Sequence, residues 1–179
     1  MASIFIHPAV PAAIAMGMGR DAISTRLLVV AMVATIFPDI DVLAFRFDIP
    51  YADPFGHRGW THSILFAAGM GALAAMAAPY LGATRWAAFL LITISMASHG
   101  LLDAMTNGGL GVAFFWPLTD ARYFLPWQPI EVSPIGAARF FTSRGLDVIW
   151  SELVWIGLPL LVLGAGGMAL RRWKGRADA

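Results

Sequence analysis

The chain has 179 residues, of which 59% are hydrophobic and 13% charged, with a formal net charge of +1. Soluble domains carry about 25% charged residues, so a soluble enzyme is excluded; a core of this size has no room to hide such long apolar runs. The small net charge, with no basic run before the C-terminal tail, argues against a nucleic-acid partner, and a cysteine count of zero removes disulfides and thiolate chemistry.

In chain order, Met1 to His7 lacks the positive flank of a cleavable signal peptide, so insertion must rely on a mature span. Pro8 to Met18 is apolar but short and predicts a re-entrant or tilted helix. The first span runs from about Ala22 to Phe37 and ends at Pro38, with Arg26 placed to snorkel. Asp39 and Asp41 then follow in Pro-Asp-Ile-Asp. After a proline stop, extended backbone is expected, and alternation would aim both carboxylates the same way. His57-Arg58-Gly59-Trp60-Thr61-His62-Ser63 reads as a loop entering a helix start, with Thr61 or Ser63 as N-cap.

The second span, Ser63 to Tyr80, is dense in small residues that let helix backbones approach closely. The third, Trp86 to Leu102, leads to His99 and Asp103, whose spacing of four puts both on one helix face. Thr106 to Arg144 is rich in proline and aromatics and predicts an interfacial loop over the bundle mouth. The fourth span, about Val148 to Leu170, is the longest and carries Gly164, Gly166 and Gly167. Trp60, Trp86, Trp116, Trp127, Trp150 and Trp173 fit a membrane-interface belt. The expected fold is all-α: one integral-membrane helical bundle over residues 1–179, with four to five spanning or re-entrant helices and a long interfacial loop.

Alternation of spans gathers every histidine at one face of the membrane. The basic tail, Arg171 to Arg176, makes the opposite face cytoplasmic and the histidine face extracytoplasmic. Histidine with aspartate is the ligand set of a hydrolytic metal such as zinc, and ionisable groups in a membrane chain mark function by default. His7, Asp41, His62, His99 and Asp103 are the candidate ligands. Asp39, His57, Arg58 and Thr61 are the candidate catalytic or orienting groups; a guanidinium inside the histidine loop suits a phosphate, a carboxylate or a developing oxyanion. The donors outnumber the needs of one ion, so one or two are expected, most simply zinc. Asn107 and Glu152 are further polar groups near the same face.

Pro-Asp-Ile-Asp, the His57 to Ser63 loop, the stretch from Ser98 to Thr106, and Trp116-Pro117-Leu118 together resemble the YdjM-like family of LexA-regulated, membrane-bound metal-dependent hydrolases. The resemblance covers most of the chain, and the histidine loop is its most specific part. It implies a multi-span inner-membrane protein that binds a divalent metal and hydrolyses a substrate. It carries over Asp39, Asp41, His57, Arg58, Thr61, His62, His99 and Asp103 as motif positions; His7 matches an N-terminal histidine of such proteins, and Gly108 departs from their pattern. The leading expectation is a metal-dependent hydrolase cleaving an ester, possibly a phosphoester, of a lipid or other amphiphile. The alternatives are a metal-binding transporter or channel, and a structural or regulatory membrane protein.

Overall fold

The computed structural model describes residues 1–177. Within them the chain is helical, and two isolated backbone bridges, Thr106 with Ile130 and Val112 with Tyr123, stand in place of any sheet. Helix α1 is Ala9–Met18 and α2 is Thr25–Ala34, capped by the Ser24 hydroxyl, which accepts from the Leu27 amide at 3.1 Å. Beyond α2 the chain does not turn extended as expected. Pro38 sits in the first turn of a 3-10 helix, Phe37–Phe47, where its missing N–H costs nothing. Asp39 and Asp41 therefore leave a helical backbone in different directions.

A short 3-10 turn, Trp60–His62, leads into α3, Ile64–Met76, which Ser63 caps through the Phe66 amide at 3.1 Å. The predicted second span divides here: Pro79 starts a separate short helix, α4, Ala78–Leu81, closed by left-handed Gly82. Helix α5, Arg85–Ala104, begins at the Thr84 cap. After the long loop come α6, Ala137–Phe140, and α7, Ser143–Glu152; one π-type turn then joins α7 to α8, Leu158–Ala177. By length and apolarity, Thr25–Phe47, Arg85–Ala104 and Ser143–Gly175 can each cross a bilayer, while α1 and α3 are shorter apolar helices. The protein is a helical membrane bundle.

Two apolar clusters hold it together. Leu27, Ala31, Ala67, Ala74, Ala88, Leu91, Ile92 and Met96 join α2, α3 and α5. Ala2, Ile6, Ile130 and Ile156 join the N-terminal segment, the loop and the π-type turn before α8. Only part of the small-residue pattern does packing work. A Cβ at Gly71 would lie 2.1 Å from Thr93 Oγ1, and one at Gly167 would lie 2.9 Å from the Gly17 Cα. Gly69 and Gly166 face open space.

A candidate metal centre at one end of the bundle

Chain direction brings the polar residues together. His7 precedes α1, Asp39 and Asp41 follow α2, His62 precedes α3, and His99 and Asp103 lie in the last turns of α5. All of them meet at one end and are buried.

Four donors converge. Asp39, His62, His99 and Asp103 each offer an atom within 4.8 Å of the others. His62 Nε2 lies 3.1 Å from His99 Nε2 and 3.6 Å from Asp103 Oδ2. Asp39 Oδ1 lies 3.4 Å from His99 Nε2 and 3.9 Å from His62 Nε2. A tetrahedron built on zinc–ligand bonds of 2.0–2.1 Å has edges of about 3.3–3.4 Å, and the four separations above, 3.1 to 3.9 Å, bracket that value.

The hydrogen bonds behind the donors fix which nitrogen faces inward. His99 Nδ1 donates to the Thr35 carbonyl at 2.6 Å. His62 Nδ1 faces Asp41 Oδ2 at 3.1 Å and the Thr61 hydroxyl at 3.1 Å, while that hydroxyl donates to Asp41 Oδ2 at 2.9 Å. Both imidazoles thus turn Nε2 toward the same point, where a shared proton or a metal ion can lie between them. Among the described residues, both oxygens of Asp39 are buried without a hydrogen-bond partner. A buried carboxylate without a partner is costly, and a cation satisfies it. Asp39, Asp41 and Asp103 outnumber the Arg58 guanidinium, and a divalent ion that displaces the proton of His62 balances the two negative charges then left. Burial lowers the pKa of His62, but Asp103 and Asp41 outweigh it and push the imidazole up to about 9. The residues present therefore fit a divalent metal.

Each expected site residue has a defined set of neighbours. Asp39, expected as a catalytic carboxylate, faces the two imidazoles. Asp41, expected as a ligand, accepts from His57 Nδ1 at 2.6 Å, the Arg58 amide at 2.9 Å and Thr61, and so orients the histidine loop. Asp39, Asp41 and His57 still form a second group of donors close enough to share an ion. His57 Nε2 is buried and unpartnered among the described residues. His7 stacks on His99 at 3.7 Å between ring centroids, with Nε2 3.8 Å from Asp103 Oδ1. It lies outside the four-donor set, and burial together with His99 pushes its pKa down to about 3. The Arg58 guanidinium is spent inside the fold: Nε donates to Asp103 Oδ2 at 3.0 Å, Nη1 to the Gly108 carbonyl and Nη2 to the Thr106 hydroxyl. Its backbone is left-handed at φ 61°, a strained state for a non-glycine residue, and this turn carries the loop from Asp41 to Asp103. Thr61 bridges Asp41 and His62.

Sequence reasoning missed several supports. Thr35 works through its carbonyl, which no side-chain motif reveals. The Ala2 amide donates to Asp103 Oδ1 at 2.6 Å, and Ser3 donates through both its amide and its hydroxyl to Glu152. Glu152 thereby anchors the N-terminal segment beside the cluster. Arg122 clamps the loop before the histidines, donating to the carbonyls of His57, Tyr51 and Asp53. Asn107 accepts from the Val132 amide and serves the loop instead of the cluster.

A helical membrane protein with a buried histidine–aspartate cluster at one bundle end is the class that fold and site define. The chain belongs to the YdjM inner membrane protein family, whose model matches residues 1–173. It is 40% identical over 182 residues to the inner membrane protein YbcI of Escherichia coli (strain K12), covering 98% of this chain and all of that protein. No solved structure matches. The chain is accordingly a protein of the bacterial inner membrane.

Proposed function

We propose that the cluster holds one divalent ion, most simply zinc, and that the protein hydrolyses an ester, carboxylic or phosphoric, of a membrane lipid or similar amphiphile. Such an ion supplies a Lewis acid and a water whose pKa falls to about 7. The single observation that carries the reading is the convergence of four donors from three chain segments, with the imidazole Nδ1 hydrogens tied elsewhere.

The donors are not equal. Both oxygens of Asp103 already accept hydrogen bonds, from Ala2 and from Arg58. Asp39, His62 and His99 have free lone pairs, and three protein ligands leave the open position that distinguishes catalytic from closed zinc sites. Asp103, held by Arg58, adds negative charge beside that position and ties the N-terminal segment over it. His7, stacked on His99 with both nitrogens free among the described residues, is the group available to hydrogen-bond substrate or leaving group. Arg58 positions Asp103 in this reading.

The test is elemental analysis of detergent-purified protein, followed by a screen of carboxylic and phosphoric ester lipids. We expect about one equivalent of metal and ester cleavage that chelation and His99→Ala both abolish. Stoichiometric metal with ion flux in liposomes and no turnover would replace the hydrolase with a transporter. Absence of metal would reduce the cluster to a packing network.

A further inference from the structure

An apolar groove abuts one wall of the donor set. Ile4, Val33, Ile36, Phe37 and Ile40 line a groove of about 350 Å³ that Asp39 also borders, its carboxylate oxygens buried behind the wall, and the groove surface is almost wholly apolar. Val33 is 62% exposed and Ile40 48%, and both lie on the segment Thr25–Phe47 that is long and apolar enough to cross a bilayer. In a membrane such exposed side chains meet lipid tails, so acyl chains already bathe the groove. Val33 lies before the end of α2 and Ile40 at the level of the cluster. The groove thus runs from within the bilayer toward the donors. A second apolar groove, lined by Ala12, Met16, Leu160 and Leu161 between α1 and α8, reaches no carboxylate.

We propose that the groove bordered by Asp39 is the lateral entrance for one acyl chain of a membrane lipid, which lies along Val33 and Ile36 and brings the lipid's polar group to the donor set. This rests on the metal-hydrolase reading for its consequence, and on the groove alone for its binding. The occupant follows from two properties that coincide. The wall offers no hydrogen-bonding side chain except at its inner end, and that end is a buried carboxylate facing His99. A free soluble ester or phosphate would have to cross the apolar wall with nothing to solvate it. A lipid supplies tail and head in the matching order, with no need to leave the membrane.

The test uses full-length protein in vesicles of phosphatidylethanolamine and phosphatidylglycerol, doped with a phospholipid that carries a diazirine in its acyl chain. Label should concentrate on peptides holding Ile4, Val33, Ile36 and Ile40. The double substitution Val33→Trp, Ile40→Trp fills the groove from exposed positions, so the core is untouched. It should lower that label roughly tenfold while metal content stays as in the wild type. Leu161→Trp in the second groove should leave the label unchanged. Equal labelling of all lipid-facing residues, or label unaffected by the double substitution in protein that keeps its metal, overturns the proposal. Groove label that survives in protein without ester cleavage supports the entrance and sinks the hydrolase reading. Ester cleavage with evenly spread label does the reverse.

Discussion

His62 is under two opposed demands. Its Nδ1 side is held by Asp41 and Thr61, and its Nε2 side faces His99, Asp103 and Asp39. With a pKa pushed up to about 9, the imidazole carries a proton at neutral pH when no metal is present. An ion must displace that proton. Metal affinity should therefore rise by about tenfold per pH unit below 9 and level off above it, as read by chelator competition between about pH 6 and pH 10. A flat profile would mean that His62 is not a ligand. Asp41→Asn keeps the shape but weakens the hold on both His57 and His62. It should cost about 10–100-fold in metal affinity, measured by calorimetry, with helical content unchanged. Arg58 offers a different readout, because it is wholly buried with Asp103 as partner. Arg58→Met removes the guanidinium from that buried carboxylate and should destabilise by about 3–5 kcal/mol. Thermal unfolding in detergent checks this, and a loss much below that range would show that Asp103 finds another cation.

At the scale of elements, the packing of α3 on α5 sets the distance between His62 and His99. Gly71 makes that approach possible, since its hydrogen faces Thr93 and the Phe89 carbonyl. Gly71→Leu should destabilise by at least about 1–3 kcal/mol through overpacking and lower metal occupancy as well. Gly69→Leu, two residues away and facing open space, should do neither. Paired thermal shifts with metal analysis compare the two variants; equal effects would show that composition, and not contact, matters in this helix. The pattern of small residues was legible in the sequence, but the division between contact and spare glycines was not, because it depends on which face meets the partner. The same holds around Pro38. Proline is known to end a helix, yet the chain passed into a 3-10 helix and kept its curvature. That choice sent Asp39 to the Nε2 side of His62 and His99 and Asp41 to the Nδ1 side of His57 and His62, where extended backbone would have aimed them together.

The whole molecule has two unlike ends. The end away from the cluster carries Arg20, Arg26, Arg85, Arg171, Arg172 and Lys174. Arg171 there also donates to the Met16 and Gly17 carbonyls at the close of α1. At the cluster end several arginines are engaged within the fold: Arg58 with Asp103, Arg122 with three carbonyls, and Arg144 with Glu131 at 2.7 Å. The positive-inside rule predicts a cytoplasmic far end, which single introduced thiols test. The chain has no cysteine, so single introduced thiols report cleanly. A membrane-impermeant maleimide should label Asp120→Cys from outside spheroplasts and reach Gly175→Cys only after lysis. The opposite pattern would put the cluster on the cytoplasmic side.

The all-helical membrane class and the meeting of His7, His62, His99, Asp39, Asp41 and Asp103 at one end were determined by the sequence itself. Apolar runs must span, and spans must alternate, so residues at successive helix ends share a face whatever the packing. Which donor faces which was decided only in three dimensions. Asp39 meets the Nε2 side of His62 and His99 while Asp41 holds the Nδ1 side of His57 and His62, Arg58 is consumed by Asp103, and Thr35 acts through a carbonyl. Those outcomes depend on helix rotation, on one left-handed residue and on the fold of an irregular loop. All three are settled by contacts between distant segments, which local pattern does not encode.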